Sequence, residues 1–326
     1  MTVPYRLGFA VKVLGNGGLK TSDTRRWQSA PHLRRSIELL HAAFDYLDAI
    51  DVRVYRMSSS TVPYGTLADQ PQLDYRRQIG ECAAELTELG AKVREYGLRL
   101  STHPGQYTVM NAINGEIAGK SLLDLEQDAL LLDTINAGPE AVVVIHVGGL
   151  YGDRDSGLDR WARAYERLSE RAQRRLVVEH DETAYTLEDV LELHRRTGVR
   201  VVYDLHHDRC NRSDATLDDA YGTWPEDVRP KVHLSSPRTE LRGTKSGLSA
   251  PLLDQHADFA TPWDLTTLLE SAPGPVDVMV EAKAKDLAVL WLRKSLVRVA
   301  PAVAIAEERQ AEDGMASRLG GEVAQR

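Results

Sequence analysis

Short runs of β-branched and aliphatic residues recur along the chain, each followed by a longer stretch in which apolar residues return every three or four positions. That alternation is the signature of a parallel α/β fold, because a strand buried on both faces reads as a brief apolar run and its covering helix as an amphipathic one. Strands are predicted over Arg6–Val13, Val52–Met57, Leu98–Thr102, Ala141–Val147, Leu176–Glu179, Arg200–Leu205, Lys231–Leu234 and Val276–Glu281. Helices are predicted over Leu33–Ala49, Tyr75–Tyr96, Ser121–Asn136, Leu158–Arg171, Leu187–Thr197, Leu217–Tyr221, Trp263–Glu270 and Leu287–Val299. Thr186 before LEDVLELH supplies a helix start, and Gly97 and Gly198 supply stops. The pattern predicts a single (β/α)8 TIM barrel over residues 1–300. After Pro301 the chain turns small and charged with little left to bury, which predicts a helical or disordered tail over 301–326, dispensable for chemistry.

The competing arrangement is a doubly wound open sheet. Such a sheet ordinarily carries a Gly-rich phosphate loop after its first strand, and LGNGGLK at Leu14–Lys20 lacks the GxGxxG spacing. Those glycines read as a flexible loop.

Composition narrows the setting more than the chemistry. At 42% hydrophobic and 27% charged residues the chain has the balance of a folded domain, so disorder is excluded as its main state. No signal peptide and no run of about 18 apolar residues is evident, which predicts a cytoplasmic protein. Cys82 and Cys210 are too few for a disulfide framework and read as reduced thiols. A net charge of −8 argues against non-specific coating of nucleic acid. It leaves a nuclease open, since bound divalent cations add positive charge that residue counting misses.

Candidate chemistry lies where the predicted strands end, the place where TIM barrels carry their active sites. These positions hold His103 after LRLST, His146 in VVVIHVGG, Glu179 in LVVEHD, Asp204 and His207 in VVYDLHH, His233 in KVHLSS and Glu281 in VMVEAKAK. His256 in QHADF falls on the loop between the last two strands. One such histidine is as readily a surface or core residue as a ligand. Together they point to metal, because burying so many polar ends unpaired would cost about 1–3 kcal/mol each. Imidazole with carboxylate suits zinc, manganese or iron, and the set exceeds what one ion needs. Paired ions suit phosphodiester hydrolysis.

Lys231 precedes His233 by two residues and so faces the same side, toward the barrel interior. A lysine there needs a partner, with Glu179 or Glu281 the nearest choices, or must lose its charge. Gln106 and Tyr107 follow His103 on one loop and offer an amide and a ring that could enter a base stack, although a loop tyrosine is commonly ordinary packing. Ser58, Ser59 and Ser60 could hydrogen-bond phosphate or simply form a polar loop. Arg238 and Lys245 are candidate phosphate contacts, while His41, His180 and His206 read as structural or surface residues.

Taken in order, RLGF, YRMSSSTVP, STHPGQYTVMN, IHVGGLYGD, VVEHDETAYTLEDVL, VVYDLHHDRCN, PKVHLSSP, HADF and VMVEAKAKDLAVL resemble the UV damage endonuclease family, a xylose isomerase-like TIM-barrel group. The resemblance implies a DNA repair enzyme that nicks immediately 5′ of a lesion and leaves a 3′-hydroxyl and a 5′-phosphate. It implies up to three divalent ions, usually manganese, held by His103, His146, Glu179, Asp204, His207, His233, His256 and Glu281. It also implies catalytic roles for Glu179, Glu281 and Lys231, the lysine in carboxylated form. Gln106 and Tyr107 match the pair that probes the duplex, and Phe9, Ser58, Ser59 and Ser60 fall among its lesion-binding positions.

Departures from the family pattern cluster in the recognition loops: Val13 stands where an asparagine is usual, GTLADQP where THPD is usual, and EHD at Glu179–Asp181 where END is usual. The expected partner is damaged double-stranded DNA, met by a monomer that is nucleoid-associated when bound. Two alternatives stay open: a sugar isomerase or epimerase on the same barrel, and a damage-binding protein without catalysis.

Overall fold

The computed structural model describes residues 2–309. Eight parallel strands close into a barrel, in the ring order β1 (Tyr5–Ala10), β10 (Val276–Val280), β7 (Lys231–Leu234), β6 (Arg200–Asp204), β5 (Leu176–Glu179), β4 (Val142–His146), β3 (Arg99–Thr102) and β2 (Val54–Arg56). The remaining strands, β8 (Arg242–Thr244) and β9 (Gly247–Ser249), form an antiparallel hairpin outside the barrel. The expected TIM barrel is the observed fold, with helices wrapped around the ring.

Period-two alternation decides which side chains do what. Leu7, Phe9, Tyr55, Leu100, Val143, Ile145, Val178, Val201, Val232 and Val278 join the large core shared with the helices. Their alternates fill the interior: Val142, Val144, Val177 and Val202 pack with Trp224 and Val228, and Ala10, Val54 and Met279 pack together. Gly8 belongs to this inner set, where a Cβ would stand 2.1 Å from the Val54 carbonyl oxygen. No side chain fits that approach of β1 to β2.

The amino-terminal end of the barrel is plugged by charge. Asp277 accepts two bonds from Arg6 (both 2.6 Å) and one from Arg99 (2.7 Å). Arg99 also donates to the carbonyls of Glu140 (2.9 Å) and Arg229 (2.7 Å). Burial pushes the Asp277 carboxyl up, and Arg99 and Arg6 outweigh it to hold the group below the usual range.

Several element boundaries differ from the expected ones, each for a local reason. The first strand stops at Ala10 because Val11 turns to φ 63°, a costly conformation for a β-branched residue. Its carbonyl accepts from Tyr55 Oη (2.6 Å) and Thr21 Oγ1 (3.1 Å), and its amide donates to Arg56 (2.8 Å), so the turn is fixed. The helix expected over 75–96 divides at Cys82 into Tyr75–Glu81 and Ala83–Glu95. The helix expected from Ser121 begins at Gly115, capped by the Asn114 side chain. The tail, expected from 301 as helical or disordered, starts as the helix Pro301–Ala306 and is tied to the barrel: Tyr5 Oη donates to the Val303 carbonyl (3.1 Å), and Glu307 bridges to Tyr5 and pairs with Arg293. Residues 310–326, the rest of that tail, lie outside the described residues. Cys82 and Cys210 are free thiols, and among the described residues no helix is long and apolar enough to cross a membrane.

Candidate metal centre

At the carboxyl-terminal mouth the strand ends converge, and ligand atoms of the expected residues fall into three overlapping groups. These are His103 with His146 and Glu179, then Glu179 with Asp204 and His207, then Asp204 with His233 and Glu281; within each group the atoms lie within 4.8 Å of one another. Glu179 and Asp204 each serve two groups. His256 stands at the edge, its Nδ1 3.7 Å from Glu281 Oε2 and its ring 5.9 Å from that of His207.

The surrounding bonds prepare these side chains as ligands. Nδ1 of His103, His207 and His256 lies 3.0, 3.0 and 2.9 Å from the carbonyls of Pro104, His180 and Glu281. A carbonyl can only accept, so each Nδ1 carries a proton and Nε2 is left as the atom to meet a cation, in His207 once its second proton is displaced. Asp204 caps the helix Leu205–Cys210 by accepting from the amides of His206 (2.6 Å) and His207 (2.9 Å) through Oδ1, which aims Oδ2 elsewhere. His180, structural as expected, accepts the Asp204 amide at Nε2 (3.0 Å).

What remains is unsatisfied. Glu179 Oε2, Asp204 Oδ2, His233 Nε2 and His146 Nδ1 are buried without a hydrogen-bond partner. Such atoms occur elsewhere in the protein too, but here those of Glu179, Asp204 and His233 belong to residues of one cluster, and cations fit as their missing partners. The imidazole and carboxylate donors match zinc, manganese or iron chemistry. Burial pushes the Glu179 carboxyl up, but His233, His146, His103 and His207 hold it well below the usual range. Burial likewise disfavours charge on His207, and Asp204, Glu179 and Glu281 raise it to about 11. Acidic groups here draw positive charge from protons in the absence of metal, and a bound cation would compete with those protons.

Lys231 lies beneath the cluster, fully buried, with Nζ donating to Ser101 Oγ (2.9 Å). The expected ion pair with Glu179 or Glu281 does not form. Burial, then Arg99 and Arg56, disfavour its ammonium form.

The rim residues divide. Ser58 and Ser59 line a cavity of about 460 Å³ together with His103, His146 and Gln106, and Ser60 lines the neighbouring one with Tyr107. Tyr107 is 82% exposed, so its ring is free to meet a partner. Phe9 requires correction: it is fully buried on the outer face of β1, its ring centroid 5.6 Å from that of Tyr55, and cannot touch DNA. Arg238 is buried as well, bonded to the Ala250 carbonyl (3.2 Å), whereas Lys245 is exposed on the β8–β9 turn.

Sequence reasoning passed over Arg56 and Glu182. Arg56 ends β2 and ion-pairs with Glu281; Glu182 Oε2 lies 3.7 Å from His207 Nε2. Arg56 sits at a strand end like the ligands, the one signal that marked it.

A closed (β/α)8 barrel with His, Asp and Glu side chains clustered at its mouth defines a TIM-barrel protein with groups that could hold metal. The profile of the family described as UV-endonuclease UvdE matches residues 26–308, and the chain belongs to that family. The UV DNA damage endonuclease of Bacillus velezensis is 33% identical over 276 residues, covering 81% of this chain and 80% of that protein. That of Bacillus pumilus is 33% identical over 254 residues, covering 76% and 75%. The crystal structure of SacUVDE shares the fold, with a TM-score of 0.76 at 24% identity over 90% of this chain and 99% of that one. Endonuclease IV from Thermus thermophilus shares it more distantly, with a TM-score of 0.54 at 19% identity over 90% and 100%.

Proposed function

We propose that this chain is a metal-dependent DNA repair endonuclease that cuts the backbone immediately 5′ of an ultraviolet lesion, leaving a 3′-hydroxyl and a 5′-phosphate. The observation that carries the reading is the set of buried, partnerless atoms on Glu179, Asp204 and His233 within one cluster of candidate ligands. A sugar isomerase has no need of so many imidazoles. Divalent cations bound there, manganese foremost and as many as three, would acidify an attacking water and stabilise the departing oxygen.

The chain's own residues do the positioning. Glu179 and Asp204, shared between groups, set the spacing of the cations. Arg56 holds Glu281 in place from the β2 side. Ser58, Ser59 and Ser60 offer hydroxyls to backbone phosphate, and the exposed Gln106 and Tyr107 fill the gap left by displaced nucleotides. Lys231, bonded only through Ser101 and close beneath the cluster, is the position for the carboxylated lysine. Labelled bicarbonate with carbon NMR reads that modification directly.

The test is a nicking assay on a duplex bearing one pyrimidine dimer or one abasic site, beside His103→Ala and Glu179→Ala. Nicking 5′ of the lesion with manganese, absent in both folded variants, supports the reading. Equal cutting of damaged and intact DNA, or of neither, sinks it.

A further inference from the structure

Between β7 and β10 the chain leaves the barrel as an arm. Pro237 and His256 form an antiparallel bridge, the Arg238 amide donates to the Gln255 carbonyl (2.7 Å), and the Ala257 amide donates to the Ser236 carbonyl (2.9 Å). Beyond this clip projects the β8–β9 hairpin, with Arg242 opposite Ser249 and Thr244 opposite Gly247. The base of the arm is thus fixed to the segment that carries His256, and its direction is set relative to the metal centre.

The hairpin at the end of the arm adds no strand to the barrel. A two-stranded ribbon is marginal in water, and this one pairs with no barrel strand. Residues 241–248 are all exposed, Leu241 at 64% and Leu248 at 76%. Arg242 and Lys245 stand among them, and Arg242 borders a cavity of about 420 Å³ whose other cations, Arg56, Lys283 and Lys285, are accompanied by Glu182, Asp254 and Glu281. On the hairpin itself Leu241 and Leu248 are interleaved with Arg242 and Lys245, exposed cations without an ion pair among the described residues, and that mix fits a polyanion with a groove.

The ring order supplies the geometry. β7 and β3 lie four strands apart by either path around the barrel, so the base of the arm lies opposite the loop bearing Gln106 and Tyr107, and Arg242 reaches back to the cavity it shares with Arg56 of β2. A duplex with a phosphodiester over the centre spans both rims.

We propose that the β8–β9 hairpin is a second DNA-gripping arm: Arg242 and Lys245 hold backbone phosphates of the duplex, and Leu248 lies against sugar faces in its groove. A two-stranded ribbon has the width to enter a DNA groove, and apolar side chains with flanking cations are what minor-groove binders present. The inference rests on the nuclease reading above.

The experiment measures binding of a dimer-containing duplex by fluorescence anisotropy across a salt series, for the wild type, the pair Arg242→Ala with Lys245→Ala, and Leu248→Ala. The paired variant raises Kd about tenfold and lowers the slope of log K against log salt by roughly 1.8, from two lost phosphate contacts. Leu248→Ala raises Kd with the slope retained. Unchanged Kd and slope in variants of a wild type that nicks damaged DNA overturn the arm alone; a wild type that neither binds nor nicks overturns the nuclease reading. Loss of a dimer by light scattering on Leu248→Ala, without change in DNA affinity, assigns the face to a second copy and overturns the proposal. Should a variant melt early, Lys245→Glu at the exposed turn reads the same affinity without touching any packed side chain.

Discussion

The barrel carries two buried charged layers, and they differ in one respect. At the amino-terminal end, Asp277 is enclosed by Arg6 and Arg99, with Arg229 3.7 Å away, and both of its oxygens are bonded. At the mouth, Glu179, Asp204 and His233 are as deeply buried, yet each keeps an atom with no partner. Burial alone therefore does not separate scaffold from site. The separating quantity is unused acceptor capacity: the lower layer leaves Arg99 Nη2, a donor, without a partner, whereas the mouth leaves carboxylate and imidazole atoms that a cation would satisfy.

The comparison can be broken most directly at Glu179. Glu179→Gln keeps the shape and removes a ligand charge, so damage-directed nicking should fall on the order of a thousandfold, several kcal/mol of lost electrostatic stabilisation. Nicking within tenfold of wild type would place Glu179 outside the chemistry. At the other layer, Asp277→Asn leaves Arg99 and Arg6 short of their counter-charge and should cost about 3–5 kcal/mol of stability in denaturant melts. Specific activity of the folded fraction should survive.

Metal removal sharpens the contrast. Dialysis against chelator should abolish nicking, and manganese at a hundred times its Kd should restore it and stabilise the fold by about 2.7 kcal/mol per site. A melting curve indifferent to manganese would mean that the orphaned atoms do not take it. Acid should attack the lower layer on a schedule set by Asp277. Its folded carboxyl titrates below the unfolded one, because Arg99 and Arg6 outweigh burial, so the pair's stabilisation is full above roughly pH 4 and is lost as pH falls through the folded value. Asp277→Asn should flatten that segment of the stability–pH curve. The smallest effect belongs to the rim, where Tyr107→Ala should weaken binding of lesion DNA by about 1–3 kcal/mol and leave manganese affinity unchanged.

The barrel was legible in the sequence because period and burial agree there. Each apolar run that ends in His, Glu or Asp became a strand ending at the mouth, as in Val142–His146 and Leu176–Glu179. The clustering of the candidate ligands was legible for the same reason, since a strand end fixes where a side chain goes. Phe9 misled because facing alternates within one strand: a residue at the mouth end can still point outward, toward Tyr55 and the helices. Arg56 was missed because it acts through Glu281 and carries no ligand chemistry of its own. The β8–β9 hairpin was invisible because alternation in sequence registers burial, and the hairpin has almost none.

The seam between β1 and β10 bears on how the protein is made. Arg6 and Asp277 meet across 271 positions of sequence, and β1 finds its second neighbour only when β10 exists. At about 5–20 residues per second of synthesis, the first strand waits roughly 15–55 s with one edge unpaired. Glu307 and Glu308 then close over Tyr5, so the last described residues lock the first strand. A newly made chain is thus exposed to mispairing at β1 until β10 has left the ribosome.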